Sequence, residues 1–148
     1  LAHVASAEGV EAVEHICGVA TEGMCYDNIP ACTYCEPEIA SVGLTEEDAK
    51  EKGYEIKVGK FPFRALGKSL ADGSHDGFVK IIYDAKYGEL LGCHIIGNNA
   101  SNLISEIAIA RTLETTYHEM LKTIHPHPTL SEAIQEATGV ALDEAIHI

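Results

Sequence analysis

The segment His125-Pro126-His127-Pro128-Thr129-Leu130-Ser131-Glu132 carries the residue types best suited to proton transfer. Proline on either side of His127 removes backbone freedom and pushes each preceding residue towards an extended conformation, so the imidazole is presented on a stiff turn. Whether the His-Pro bond is cis is not decided by the sequence. Glu132 follows His127 by five residues, past the turn yet close enough for its carboxylate to accept a hydrogen bond from one ring nitrogen. That would pair a base with an orienter. The same residues also spell a capping box, in which Thr129 caps a helix and Glu132 reaches back to its first backbone N–H. On spacing alone the cap is the favoured reading.

Cys32-Thr33-Tyr34-Cys35 is the one close cysteine pair, with the spacing of half a zinc site or a redox couple. No second C-x-x-C or H-x-x-x-H follows at finger spacing, and His125 and His127 could complete four ligands only through a long loop. No metal site is therefore expected, and the pair reads as two partly buried cysteines at the start of a strand. Asp72 to Gly77 is rich in turn residues, but its oxygens lack the spacing of a calcium loop.

The elements that must position these groups fit within 148 residues, long enough for one domain with a substantial core. The chain begins at Leu1 without methionine and reads as a piece of a longer protein. No stretch has the apolar length to span a bilayer. Twenty-three acidic against 10 basic residues, a net charge of −13, argue against nucleic-acid binding, because a phosphate backbone would be repelled. Five cysteines, an odd number, argue against a full disulfide framework and for a reducing compartment.

Val10, Val13, Ile16 and Cys17 recur at helical spacing in residues 1 to 18, and Gly18 ends that helix. A strand from about Ala31 to Gly43 breaks near Glu36-Pro37. Thr45 with Asp48 caps a short helix that Gly53 ends. Tyr54, Ile56 and Val58 alternate as a strand, and the parity then slips to Phe61 and Phe63, predicting a bulge at Gly59. Runs at 77–84 and 89–97 around Ala85-Lys86-Tyr87-Gly88 form a hairpin whose second strand is central and covered on both faces. Asn98 or Asn99 caps the next helix, with Leu103, Ile104, Ile107, Ala108 and Leu113 as its buried stripe. Thr116 with Glu119 caps a further short helix. The last helix starts near Leu130, and Gly139 interrupts it before the tail. Strands in the middle and helices at both ends make an α+β domain, an antiparallel β-sheet with helices packed on it.

The run His-Pro-His-Pro-Thr-Leu-Ser-Glu-Ala-Ile-Gln-Glu-Ala from His125 resembles the C-terminal signature of the dihydrolipoamide dehydrogenase family, among the pyridine nucleotide-disulfide oxidoreductases. Pro37-Glu38-Ile39-Ala40-Ser41-Val42-Gly43 resembles the head of that family's dimerisation domain, and Leu1-Ala2-His3 the start of the helix whose N-terminus faces its flavin, although Val4 stands where a lysine is common. The resemblance implies that residues 1–26 close the FAD domain and residues 27–148 form the C-terminal interface domain. It implies that His127 is the acid/base for dihydrolipoamide and Glu132 its holder, working in trans in a homodimer, with electrons passing through FAD to NAD. Leu1, Ala2, His3, His127 and Pro128 then lie against the flavin. Partners would be a lipoyl domain and an acyltransferase subunit of a 2-oxo acid dehydrogenase complex, in the cytoplasm or, in a eukaryote, the mitochondrial matrix. The chain holds neither the C-x-x-x-x-C redox disulfide nor a G-x-G-x-x-G loop, so alone it is expected to bind no cofactor and to be inactive. Two alternatives stand beside this: the interface domain of a glutathione- or mercuric-reductase-like flavoprotein, and a non-catalytic acidic interaction module, with Cys32, Cys35, His125 and His127 as its metal ligands.

Overall fold

A computed structural model describes residues 1–147. Helix α1 (Ala2–Ile16) stops where Gly18 takes a positive φ, and none of its residues is buried. A 3-10 turn at Tyr26–Asn28 leads into β1 (Ala31–Thr33) and β2 (Ile39–Gly43), separated by the Glu36-Pro37 interruption as expected. Thr45 caps α2 (Glu46–Glu51) in the full two-way box with Asp48. After β3 (Ile56–Pro62), a 3-10 turn (Phe63–Ala65) and α3 (Gly67–Asp72) precede the hairpin of β4 (Phe78–Asp84) and β5 (Leu90–Ile96). Helices α4 (Ala100–Thr112), α5 (Tyr117–Lys122) and α6 (Glu132–Ala141) follow.

The five strands form one antiparallel sheet in the order β1-β2-β5-β4-β3, which makes β5 central. Helix α4 packs on β2 and β5, and α6 on β3 and β4. Between them and the sheet lies the main core, with Phe61, Val79, Ile81, Tyr83, Cys93 and Ile95 from the strands and Ile104, Ile107 and Ile134 from the helices. The opposite face carries a smaller cluster, where Ala49 of α2 meets Ile82 and Leu91. Leu90 and Leu91 are both buried, one on each face, as expected for a central strand.

The expected bulge at Gly59 is absent, since β3 pairs with β4 without a break from Ile56↔Asp84 to Pro62↔Phe78, with Gly59 opposite Ile81. The apolar parity slips because both faces of β3 are covered. Ile56 and Val58 join the smaller cluster, while Gly59 and Phe61 face α6. The irregularity in the sheet falls instead at Ile82/Tyr83, between β4 and β5. Other expectations shift as well. Asn99 occupies the N-cap of α4 without a side-chain bond to the helix, and Glu38 Oε2 caps it from outside by accepting from Ser101 N at 2.9 Å and Oγ at 2.7 Å. Leu113 lies just past α4 and is 72% exposed, and Ala108 is only half-buried, so Ala100 and Ala110 complete the buried stripe in their place. Cys32 is half-buried but Cys35 is exposed, its thiol donating to Pro37 O at 3.0 Å.

Gly59 is where α6 comes down on the sheet. A Cβ there would stand 1.7 Å from Ala137 O and 2.8 Å from Ala141 N, both helix backbone that cannot swing aside. Gly59→Ala in the full-length protein is therefore expected to cost about 2 kcal/mol or more by overpacking, read as a lower urea midpoint. Gly67→Ala, with nothing within 4 Å of the new methyl, serves as the control and should show no such loss.

Candidate acid/base site

Glu132 is the first residue of α6, and its two carboxylate oxygens divide the roles that the sequence set in competition. Oε2 accepts from Thr129 N at 2.7 Å, and Oε1 stands 2.8 Å from His127 Nδ1. A carboxylate can only accept, so Nδ1 carries the proton and the neutral ring keeps its lone pair on Nε2. No hydrogen bond reaches Nε2 among the described residues. The capping box is thus only half made. Thr129 Oγ1 donates to Pro126 O at 2.8 Å instead of accepting from the helix, and Ser131 is the N-cap, with no side-chain bond, two residues later than the expected start. Gly139 is buried within α6, which runs on to Ala141, so it does not interrupt the helix. The His127-Pro128 bond is cis.

Burial works against the charge on Glu132, but the bonds from Thr129 N–H and His127 outweigh it and hold the carboxyl below its ordinary range. The His127 side chain is 77% exposed and that of Glu132 21%, so the base faces outward from a fixed acceptor. Together with Ala65, Leu66 and Gly67 they line a cleft of about 80 Å³.

Two further His-Glu pairs escaped the sequence reading. His147 Nδ1 donates to Glu136 Oε1 at 2.6 Å in the same cleft, and that carboxylate raises the imidazole's pKa. Glu136 lies one helical turn beyond Glu132, a spacing that could have flagged it. His125 is buried against Glu106 of α4, a contact between distant segments that no local pattern signals.

Leu1, Ala2 and His3 lie elsewhere. His3 Nε2 donates to Pro30 O at 3.0 Å, and the 3-10 turn beside it is tied to α4 by Asn28 Nδ2 donating to Ala108 O at 3.0 Å. The start of α1 therefore sits by the β1 edge, whereas α6 covers β3 and β4 at the other. Four strand spacings, roughly 19 Å, separate those edges. The first turn of α1 holds no acidic residue and has no side-chain cap, which leaves its N–H groups suited to an anionic edge. Among the described residues no three His, Cys, Asp or Glu side chains converge as metal ligands, so Cys32, Cys35, His125 and His127 are not brought together.

The family model of the pyridine nucleotide-disulphide oxidoreductase dimerisation domain matches residues 29–138. A dihydrolipoyl dehydrogenase of Bacillus subtilis is 52% identical over 147 residues, covering 99% of this chain and 31% of that protein. One from Zymomonas mobilis is 51% identical over 99% of this chain and 32% of its own length. The crystal structure of LpdA from Mycobacterium tuberculosis superposes with a TM-score of 0.87 at 29% identity, covering 93% of this chain and 30% of that one. The chain thus spans about a third of the proteins it matches.

Both bonds to Glu132 favour its ionised form, so its depressed pKa contributes stability above the unfolded value near 4.5 that is lost as pH falls through the folded one. Glu132→Gln should accordingly unfold at lower urea than wild type near neutral pH, and the gap should narrow as pH falls below the ordinary carboxylate range. A gap constant across that range, followed by circular dichroism, would remove the charge from the argument.

Proposed function

Because this chain belongs to the pyridine nucleotide-disulphide oxidoreductases, as their dimerisation domain, we propose that His127 and Glu132 are the acid/base dyad of a dihydrolipoamide dehydrogenase and act in the active site of a second copy. The observation that carries the trans arrangement is the placement of Leu1-Ala2-His3 and the dyad by opposite edges of one sheet. If both sets serve one flavin, they come from two chains. Similarity near 50% to dihydrolipoyl dehydrogenases favours this reading over the glutathione- and mercuric-type reductases, as does Leu130-Ser131-Glu132 after Pro-Thr. Residues 1–26 then close the FAD domain and residues 27–148 form the interface domain of a homodimer.

In the proposed reaction His127 Nε2 removes a proton from a thiol of dihydrolipoamide, and the thiolate attacks the partner's redox disulfide, releasing one of its sulfurs. Glu132 holds the ring in the Nδ1–H tautomer and stabilises the imidazolium formed by the transfer. Closure of the substrate's own disulfide, with loss of its second proton, leaves the cysteine pair reduced. The free N–H groups at the start of α1 and the backbone of His127 and Pro128 would hold FAD, which when bound would supply two-electron transfer between that pair and NAD. A lipoyl domain presents the substrate, with an acyltransferase subunit as its carrier. The odd cysteine count supports a reducing compartment, the cytoplasm or the mitochondrial matrix. Without the redox cysteines and nucleotide loops, the 148 residues alone catalyse nothing.

In the full-length protein, His127→Ala is expected to lower dihydrolipoamide-dependent NAD reduction by about 10²- to 10⁴-fold with flavin and dimer retained. Mixing His127→Ala subunits with subunits lacking the redox cysteines should restore turnover, since a hybrid dimer assembles one intact site. A hybrid no more active than its parents places the dyad in its own chain's site.

A further inference from the structure

His125 precedes the acid/base histidine by two residues and, unlike it, is enclosed: its side chain is 4% exposed. Nε2 stands 2.8 Å from Glu106 Oε1 on α4, and Nδ1 3.2 Å from Thr123 O. A carbonyl and an ionised carboxylate only accept, and a neutral imidazole has a single N–H. Both contacts are hydrogen bonds at once only when the ring is an imidazolium. Every group facing it suits that charge: Glu106 from α4, Thr123 O from its own segment, and from α6 Gln135, whose Nε2 is spent on Leu121 O at 3.0 Å and whose amide oxygen is left for the ring. The Glu106 bond raises the pKa of His125 against the opposing effect of burial. Glu106 also lies near Tyr83 and Cys93 beneath β4 and β5, whose pKa values are raised by burial first and by this carboxylate in addition.

We infer that His125 is a positioning residue, a buried cation clamped between Glu106 and Thr123 O that fixes the turn so that His127 meets Glu132. The turn has two anchors, α4 through His125 and α6 through Glu132, with Thr129 Oγ1 bonded to Pro126 O between them. Only Pro126, with its fixed φ, stands between the two histidines, so a shift at His125 passes to His127 with little damping. Misplacement of a reacting group by about 1 Å can cost 10²-fold in rate. The inference rests on the acid/base reading of His127.

The test is made in the full-length protein with Glu106→Gln, His127→Ala and the double variant, each checked for flavin content and dimer mass. Glu106→Gln, which keeps an acceptor but removes the charge, should lower kcat for dihydrolipoamide by about tenfold or more and leave KM within about threefold. In the His127→Ala background it should cost nothing further, because it acts through that ring. Unchanged kcat in Glu106→Gln, or an equal loss in both backgrounds, overturns the positioning role while leaving the dyad in place. Full turnover by His127→Ala removes the dyad and this inference together. Ring ¹⁵N spectra of the wild type need no turnover and cover the case in which Glu106→Gln loses flavin or dimer. Both nitrogens of His125 should carry protons at neutral pH, and one bare nitrogen sinks the proposal.

Discussion

The carboxylate of Glu132 is the group on which the site depends, because it holds a backbone N–H with one oxygen and an imidazole with the other. An exposed His-Glu pair ordinarily gains little, since both side chains lose rotamer freedom on meeting. Here the bond from Thr129 N fixes the carboxylate first, and the ring meets an acceptor already in place. The position of that carboxylate follows from the position of α6, and α6 follows from Gly59. The missing side chain on β3 lets the helix backbone at Ala137 and Ala141 settle on the sheet. Tyr83 and Thr138 lock the same contact from within. Thr138 Oγ1 donates to Ile134 O at 2.9 Å, so the 2.8 Å contact with Tyr83 is a bond donated by the tyrosine hydroxyl, and a buried polar pair is satisfied.

What the sequence disclosed was what local chemistry determines. The hairpin, the boxes at Thr45 and Thr116 and the break at Pro37 each depend on residues a few positions apart, and each stands as expected. The misreadings share a different cause. Gly59 looked like a bulge because a strand covered on both faces loses the alternation on which the inference rests. Asn99 looked like a cap, yet the acceptor comes from Glu38, 63 residues along the chain from the Ser101 N–H that it caps. Thr129 and Glu132 matched a capping box in letters, but the proline turn sends the threonine hydroxyl back to Pro126 O, and only the return bond survives. For the same reason Glu106 was invisible, while Glu132, five residues from its ring, was not.

The two histidines of the turn divide their work by burial. His125, enclosed and facing only acceptors, is suited to hold a charge; His127, open on one nitrogen, is suited to exchange one. Positions two apart reach such different environments because each ring is held by a different helix, His125 by Glu106 of α4 and His127 by Glu132 of α6.

The exposure of His127 fits a site finished by another surface. Ile124, beside the turn, is 93% exposed, and Ile109 and Leu113 leave apolar side chains uncovered at the end of α4. Each sits in water at a cost that burial against a second surface would remove. In the proposed dimer that covering also dries the dyad. The attraction between His127 and Glu132, weak while water surrounds the ring, strengthens as the local dielectric falls. The charge separation of the proposed proton transfer would then be stabilised where the two chains meet, which is why a dimerisation domain suits the proposed acid/base role.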